Sequence, residues 1–567
     1  STTPKPSRTS TRFYKKPLIE IKPSSVATPF YVHLSEATTH DNNLDRLYFS
    51  GFVFTQHQDT TDELSIVTKA FDNFEAHAPL HLRGSYAGVY WSPKASQWTL
   101  FSDPLGTKPL YYAQLSNGWH ISNNYDLLAQ KIKAIQPLSW SALGFYQLLS
   151  YGFVLESDTL FNPIKRLPIG YTATIASQTN EQKIASRATL ELHKCYSLPA
   201  ISSTLSLDDA AAQVDLLFRA AIKRAFDRDA DKAKTSLVSL SGGLDSRMTS
   251  WVAHEMGYTN QLNLCFAQQN SLDHTIAQNI AHDLEHTWHF MPLDGGDMLR
   301  DVDEVTQHTG GNVVYYGQAH TRRILQEIVA KNSSTTLGML HTGMLGDVVI
   351  GSYLQTPNNP THFSALSGAS SLRFSNQLVD HGFKPNYGNL EHHKIMLRGL
   401  YGMNMGLMSV YAVTESYSPF YDVDLFNFCL QLPVELRAQH KLYIHWITQY
   451  YPEASNYIWE RTRTKITAKS IQIGSKSLPL RTWLWKLLER IQFGQPTRNP
   501  RFMTPLDYWF ATEAQLHSFL NSYFNRYLDL IDETEMREHI HELYIHGNGK
   551  EKVQALSVIA AAKRYLT

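Results

Sequence analysis

The sequence predicts a layered α+β domain, followed by an α/β domain with a parallel sheet and a helical C-terminal portion. From residue 17 to about residue 175, short apolar stretches alternate with turn residues, a pattern typical of β-rich structure. From residue 206 onward, helical stripes alternate with short buried strands. That alternation is typical of parallel strands joined by crossover helices.

Composition excludes several classes of protein. The chain has 567 residues, of which 43% are hydrophobic and 18% charged, so it can build large cores and is not a disordered chain. Lysine plus arginine number 51, as do aspartate plus glutamate, which leaves no electrostatic case for nucleic acid or an anionic membrane. No apolar run reaches the roughly 18 residues of a transmembrane helix. Three cysteines without Cys-x-x-Cys spacing fit a reducing compartment. We expect a cytoplasmic protein with no nucleic-acid or membrane partner, and the sequence leaves a homodimer open.

The first domain is expected over residues 17–200, after a flexible tail at residues 1–16. The tail is rich in Ser, Thr and Pro and has no apolar signal-peptide core. Asn117-Gly118 predicts a hairpin turn. Strands are predicted by the apolar stretches at residues 47–49, 86–91 and 98–101.

The second domain is expected over residues 205–567. Ser206, with Asp209 three residues later, resembles a capping box. A buried helical stripe then follows at Val214, Leu217, Phe218, Ala221, Ile222 and Ala225. A strand at residues 237–240 leads into a second helix, and another strand follows at residues 262–266, which predicts a parallel sheet.

The turn at residues 241–246, Ser-Gly-Gly-Leu-Asp-Ser, is the strongest functional signal. It follows a buried strand and opens a helix. Adjacent glycines allow backbone N–H groups to approach an anion, and the helix N-terminus adds partial positive charge. A bare phosphate would repel Asp245, so this residue fits a Mg²⁺ ligand beside a phosphate. The loop is neither a Walker loop nor a dinucleotide fingerprint.

This hexapeptide resembles the pyrophosphate-binding loop of the ATP pyrophosphatases, and the surrounding pattern is similar to the asparagine synthetase family. Further similar stretches occur in the family's order at residues 101–112, 159–170, 271–273, 342–347 and 415–433. The resemblance implies an Ntn-hydrolase-like domain followed by an ATP pyrophosphatase domain. In that family the first domain frees ammonia from glutamine. The second domain adenylates a carboxylate, and ammonia displaces AMP.

The resemblance also implies a site for ATP and Mg²⁺. Asp245 and Asp347 are expected as Mg²⁺ ligands, and Asp347 also as a catalytic residue. Lys465 falls near the family's catalytic lysine, with Arg463 as the competing assignment. The residues expected at ATP are Leu240, Ser241, Gly242, Gly243, Asp245, Ser246, Phe266 and Gly343.

The glutaminase half departs from the family pattern. The family's nucleophile is an N-terminal cysteine whose α-amine serves as the base. This sequence begins Ser1-Thr2-Thr3-Pro4, and its first cysteine is Cys195. We expect a glutaminase-like shell without glutaminase chemistry. It resembles in this respect the β-lactam synthetases and lasso-peptide cyclases, which use the substrate's own amine.

The acceptor half departs as well. Met344 and Val348 stand where glutamine-using relatives carry acidic residues, and Met cannot deprotonate an incoming ammonium ion. Tyr417 stands where the family often has an arginine, so we expect Glu415 to have a different partner.

The sequence therefore favours an AMP-forming amide ligase that joins a small-molecule or peptide carboxylate to an amine not drawn from glutamine. An ammonia-dependent asparagine synthetase and a non-catalytic nucleotide-binding relative are the alternatives.

Two weaker signals are interpreted as structural. His282, His286 and His289 are expected on a helix face rather than at zinc. Trp483 and Trp485, with the nearby leucines, are expected in the core, with a partner groove as the alternative.

Overall fold

The computed structural model describes residues 30–34, 38–40, 47–55, 62–176, 189–332, 336–474 and 476–567. The predicted tail at residues 1–16, including Ser1, lies outside the described residues. None of the helices in these ranges has the length and hydropathy of a bilayer-spanning segment.

The first domain contains two main sheets, with strand orders β1-β7-β6-β10 and β12-β11-β5-β4-β3-β2. Its strands are β1 (Phe30–His33), β2 (Thr38–His40), β3 (Leu47–Val53), β4 (Gly84–Ser92), β5 (Gln97–Ser102), β6 (Tyr111–Leu115), β7 (Gly118–Ser122), β8 (Ser139–Trp140), β9 (Phe161–Asn162), β10 (Lys165–Arg166), β11 (Tyr171–Ala176) and β12 (Leu190–Lys194). Its helices are α1 (Glu63–Phe74), α2 (Tyr125–Lys133) and α3 (Ala142–Tyr151). The two short strands β8 and β9 pair only with each other.

The two sheets pack face to face between helical layers. Phe30 and Ile121 of the smaller sheet share one buried cluster with Tyr48 and Trp98 of the larger sheet. Helix α1 covers the outer face of the larger sheet, and α2 and α3 cover the outer face of the smaller sheet. The predicted hairpin is confirmed, because β6 pairs with β7 and Gly118 has a φ of 129°. The predicted layered α+β domain is confirmed.

The second domain is built on a five-stranded parallel sheet with the order β15-β14-β13-β16-β17. The strands are β13 (Thr235–Ser239), β14 (Gln261–Ala267), β15 (Thr287–Pro292), β16 (Leu337–His341) and β17 (Ser416–Tyr417). The intervening helices are α4 (Leu207–Ala230), α5 (Leu244–Glu255), α6 (Leu272–Asp283), α7 (Val302–Thr309) and α8 (Tyr316–Lys331). From β13 the chain first adds β14 and β15 on one side, then returns to add β16 on the other. The strand order therefore reverses between β13 and β16, where open α/β sheets form a ligand-binding crevice.

Helices dominate the rest of the chain, so the predicted helical portion is confirmed. They are α9 (Ser375–Asp380), α10 (Leu390–Lys394), α11 (Met408–Tyr411), α12 (Val423–Gln431), α13 (Val434–Arg437), α14 (Lys441–Tyr450), α15 (Leu480–Phe493), α16 (Leu506–Thr512), α17 (Ala514–Tyr527), α18 (Thr534–His546) and α19 (Gly549–Tyr565). Two small hairpins join β18 (Ile458–Trp459) to β19 (Thr464–Lys465) and β20 (Ser470–Ile473) to β21 (Lys476–Pro479).

Contacts between the two domains are polar as well as apolar. The Lys108 ammonium group lies 2.8 Å from a carboxylate oxygen of Glu415 and 4.0 Å from the centre of the Tyr411 ring. Lys108 is therefore the partner that Glu415 finds in place of the family's arginine. At the C-terminus, Arg564 of α19 pairs with Asp126 of α2. These contacts join the first domain to the second at two points.

Replacing Arg437 by Met should destabilise the fold strongly. The Arg437 guanidinium is fully buried, donates two 2.8 Å hydrogen bonds to Glu391, and donates another to the Gly351 carbonyl. Without it, Glu391 would be left as a buried unpaired charge, which costs about 3–5 kcal/mol. Urea denaturation measures this loss. Lys223→Met removes the exposed Lys223–Asp227 pair and should cost only about 0–1 kcal/mol. Equal losses would contradict a central role for the buried pair.

Candidate active site

Two loops meet at the crevice between β13 and β16. Residues 240–243 follow β13 and lead into α5, whose first turn contains Asp245. Residues 342–346 follow β16 and lead into a π-helix that begins at Asp347. The Asp347 backbone N–H donates to Asp245 Oδ2 at 3.0 Å. The two aspartates, 102 positions apart in the sequence, therefore lie side by side, as the family resemblance implied.

Glycines make this close approach possible. A Cβ atom on Gly343 would lie 2.3 Å from the backbone nitrogen of Ser246. A Cβ atom on Gly346 would lie 2.6 Å from Asp245 Cγ. Between them, Leu345 adopts a φ of 71°, in the left-handed region that non-glycine residues rarely occupy. Backbone strain of this kind clusters at functional sites, so the strain at Leu345 is consistent with a functional role for the second loop.

The two carboxylates form an electrostatically unfavourable pair unless a cation is present. Burial raises the pKa of Asp245 well above its usual range, and the neighbouring Asp347 raises it further. The Tyr443 hydroxyl, 2.8 Å from Asp245 Oδ1, offsets part of this effect by donating a hydrogen bond. Burial also raises the pKa of Asp347, against opposing effects of Arg461 and Arg398. Two adjacent carboxylates in a phosphate-binding crevice are the oxygen donors that Mg²⁺ takes alongside substrate phosphates, so these residues fit that ion.

The backbone N–H groups of the first loop donate hydrogen bonds to side-chain oxygen atoms. Gly242 N–H donates to Asp273 Oδ1 at 3.1 Å, and Gly243 N–H donates to Ser241 Oγ at 3.2 Å. Burial raises the pKa of the Asp273 carboxyl, so this negative charge is held at a cost. The Asp273 carboxylate stands where a phosphate oxygen would accept the same hydrogen bond at the N-terminus of α5.

A buried arginine anchors this loop from behind. The Arg247 side chain is fully buried and donates to the carbonyls of Gly242 at 3.2 Å and Ile458 at 2.8 Å. It ties the phosphate-binding loop to the chain segment that leads to Glu460. This contact gives the loop a fixed position relative to the opposite wall of the crevice.

A cavity of about 780 Å³ opens over both loops and extends to Phe153 of the first domain. Most predicted site residues line it, namely Ser241, Gly243, Asp245, Ser246, Phe266, Gly343 and Asp347. Leu240 and Gly242 are buried and do not line this cavity. The Leu240 backbone N–H donates to the Leu264 carbonyl, and Gly242 packs against Glu460 and Leu272. Met344 and Val348 line the cavity beside Asp347.

The predicted catalytic cation lies elsewhere. Lys465 lines a neighbouring cavity of about 490 Å³, and its ammonium group donates to Asn456 Oδ1 at 3.2 Å. The Arg463 guanidinium stacks on Trp485 at 3.5 Å. Arg461 lines both cavities and donates to His440 Nε2 at 2.7 Å. In this structure, Arg461 and Arg398 are the cations whose charge acts on Asp347.

Sequence reasoning missed several residues of the site. Tyr443 and Arg398 come from later helical segments, and no local motif marks them. Glu460 and Arg461 fall in the run that suggested Lys465, so a signal for them was present. The expectation that His282, His286 and His289 share a helix face is wrong, because only His282 lies in α6, His286 follows that helix and His289 lies in β15. His286 hydrogen-bonds to Asn263 and His254, and His289 pairs with Glu327. Among the described residues, no cluster of three or more His, Cys, Asp or Glu side chains is arranged to hold a metal ion.

A glycine-rich loop at a helix N-terminus and an adjacent pair of carboxylates, set at the switch point of a parallel sheet, are the features that the resemblance to ATP-dependent ligases predicts. Comparison with known protein families agrees with this interpretation of the site. The glutamine amidotransferase domain model matches residues 45–185, and the asparagine synthase model matches residues 217–444. The two matches follow the domain order of the asparagine synthetase-like family and confirm the resemblance seen in the sequence.

Individual relatives are remote. No curated protein matches this chain significantly. Among solved structures, NMN synthetase from Francisella tularensis aligns with 42% of this chain and 97% of its own, at 15% identity. The TM-score of that alignment is 0.19, too low to indicate a shared fold.

Replacing Gly346 by Ala should weaken Mg²⁺-dependent ATP binding by on the order of tenfold to a hundredfold, because the new methyl group displaces Asp245. Isothermal titration calorimetry measures the affinity. Gly317→Ala is the matched control, since Gly317 lines the same cavity and has no atom within 4 Å of an added Cβ. Unchanged affinity in Gly346→Ala would contradict the close packing of the two loops at the nucleotide.

Binding of ATP should strengthen as the pH falls through 7. Burial raises the pKa of Glu460 to about 7, and Glu460 lies beside Gly242 in the cavity wall. Protonation below this pH removes a negative charge next to the phosphates, and one pKa unit corresponds to about tenfold in affinity. Glu460→Gln should lose this gain in affinity between about pH 8 and pH 6. An equally pH-dependent variant would assign the effect to another group.

Proposed function

We propose that this protein activates a carboxylate with ATP, releases pyrophosphate, and joins the acyl-adenylate to an amine that is not drawn from glutamine. The contact between Asp245 and Asp347 at the edge of the phosphate-binding loop carries this proposal. Both residues belong to the part of the chain that matches the asparagine synthase model. Their position favours chemistry at the polyphosphate of ATP rather than simple nucleotide storage.

The loop residues hold the pyrophosphate portion of ATP. In this structure the Gly242 and Gly243 N–H groups donate hydrogen bonds to the Asp273 carboxylate and the Ser241 hydroxyl. When ATP binds, these N–H groups would donate to phosphate oxygens instead. The hydroxyl groups of Ser241 and Ser246 lie 3.1 Å apart and can donate to the same phosphate. When the α–β phosphoanhydride bond breaks, these donors stabilise the charge that collects on the departing pyrophosphate.

Asp245 and Asp347 would hold Mg²⁺, which supplies a Lewis acid at the departing pyrophosphate. The Tyr443 hydroxyl fixes the Asp245 carboxylate, and the Asp347 backbone N–H fixes it from the other side. The orientation of Asp245 is thus set before ATP arrives. Pre-organised charges of this kind need no rearrangement at the moment of reaction.

A cation must offset charge at the α-phosphate, and two candidates remain. Arg461 lines the central cavity, and its partner His440 stays neutral because burial lowers the pKa of His440 to about 3. Lys465 lies in the adjoining cavity, which shares Arg461 and His440 with the central one. The geometry favours Arg461 for the resting protein, whereas Lys465 would need to move.

The acceptor side of the cavity supports an amine other than free ammonium. Beside Asp347 the lining residues are Met344 and Val348, which cannot accept a proton. The carboxyl group with a pKa of about 7, Glu460, lies at the phosphate loop instead. An amine carried by the substrate itself, or by a second substrate, must still lose a proton when it displaces AMP, and Glu460, which lines the same cavity, has a pKa suited to accept that proton.

The proposal predicts carboxylate-dependent ATP–pyrophosphate exchange. With a panel of small acids, amino acids and peptides, at least one carboxylate should support exchange of radioactive pyrophosphate into ATP. Asp245→Asn should reduce this exchange by at least about a hundredfold, because it removes the charge that holds Mg²⁺. Asp283→Asn, an exposed change at the end of α6, should leave it unchanged.

Two further measurements complete the test. Glutamine labelled in its amide should yield no labelled product, whereas release of labelled ammonia would overturn the amine assignment. Arg461→Met and Lys465→Met, measured in the same exchange assay, separate the two cations: the variant with the larger loss identifies the residue at the α-phosphate. Folded protein that binds ATP but exchanges pyrophosphate with no carboxylate would contradict the proposed activity.

A further inference from the structure

Helix α15 carries an apolar stripe that stays exposed among the residues that the structure describes. Leu480, Leu484, Leu487, Leu488 and Ile491 keep between 55% and 72% of their surface exposed. The expectation that these leucines belong to the core is therefore wrong, although Trp483 and Trp485 are half-buried. Exposed apolar patches of this extent mark interaction sites in soluble proteins.

The stripe has the layout of an interfacial helix. At about 100° per residue, the five apolar side chains fall within an arc of about 100°. Arg481 lies just beyond one edge of this arc, and Arg490 lies beyond the other, with Trp483 beside it. Apolar residues flanked by arginine and tryptophan are typical of helices that lie at a lipid–water boundary.

A hairpin extends the same surface. The Trp483 indole N–H donates to the Ile471 carbonyl of β20 at 3.3 Å, which joins the hairpin to the helix. Ile471 and Ile473 on this hairpin are about half exposed, at 47% and 54%. We call the helix stripe and this hairpin together the α15 face.

The segment of the sequence that carries the α15 face is basic. Residues 465–501 contain eight lysines and arginines and one acidic residue, Glu489, in a chain whose total charge is balanced. Glu489 accepts a hydrogen bond from Asn499 at 2.6 Å. The whole chain is neutral, but the segment that carries this apolar surface is basic.

We propose that the α15 face docks onto an anionic phospholipid bilayer. Apolar area and basic flanks contribute together to such binding, and each basic residue near an anionic surface adds to the attraction. A second copy of this chain fits less well. A two-fold pair of α15 faces would bring residues 465–501 of both copies together, and these segments are both basic, so they would repel each other.

Docking would bring the bilayer next to the active site. Trp485 and Glu489, on the side of α15 away from the stripe, line a cavity of about 1050 Å³, and the flanking Arg481 and Arg490 lie at the same cavity. Glu460 and Arg461 line both this cavity and the central one. A membrane-bound enzyme would therefore have one side of its site open close to the lipid surface.

Vesicle flotation with the whole protein tests this inference, and the assay does not depend on the proposed ligase activity. The protein should float with vesicles of phosphatidylcholine containing about a quarter phosphatidylglycerol, and should bind phosphatidylcholine alone far more weakly. Leu484→Ser with Leu488→Ser should lower binding by at least about tenfold, since two leucines lose their apolar contact. Arg481→Gln with Arg490→Gln should lower binding to the anionic vesicles and reduce its salt dependence. Leu216→Ser is the matched control, because Leu216 on α4 is 62% exposed.

Several outcomes would overturn the proposal. Absence of flotation, or equal flotation of the Leu484/Leu488 variant and the Leu216 variant, would do so. A dimer in sedimentation that dissociates only in the Leu484/Leu488 variant would assign the face to a second copy. An acidic protein partner that covers the face, without vesicle binding, would overturn it as well. Thermal melting of each variant shows that its fold is intact.

Discussion

The central constraint in this protein is that two carboxylates from distant parts of the chain lie side by side at a glycine-rich loop. Asp245 and Asp347 repel each other, and burial adds to the cost of their charge. The parallel sheet makes the pair possible, because β13 and β16 are adjacent and their C-terminal loops meet. Glycines at 343 and 346 then allow contact, and Tyr443 holds one carboxylate in place. A cation beside a polyphosphate would relieve the repulsion, and this links the fold to the chemistry.

The two ends of the central cavity differ in chemistry. Around the phosphate loop, serine hydroxyls, glycine amides and the carboxylate pair form a polar surface. Towards the first domain the lining becomes apolar, with Met344, Val348 and Phe153. The same first domain uses Lys108 to hold Glu415 and so contributes to the support of the second. An amidotransferase-type domain that serves as a structural wall fits an enzyme whose amine arrives with its substrate.

Much of the fold and part of the site could be predicted from the sequence, for physical reasons. The parallel sheet followed from alternating strand and helix patterns, and the loop at 241–246 from a combination of glycine, serine and aspartate that suits one task. Tyr443, Arg398 and Arg247 could not be predicted, because their roles depend on contacts between segments far apart in the chain. The leucines of α15 were misjudged for a related reason. Helical periodicity identifies an apolar stripe but does not tell whether the fold covers it.

A double-mutant cycle on the binding of Mn²⁺ with ATP tests the central claim most directly, with paramagnetic resonance to count bound Mn²⁺. If Asp245 and Asp347 share one ion, Asp245→Asn and Asp347→Asn should each abolish most of the nucleotide-dependent binding. The double variant should then lose little more than the worse single variant, because coupled residues are strongly non-additive. Losses that simply add, or Mn²⁺ binding that survives in either single variant, would show that the two carboxylates act independently and would contradict the account.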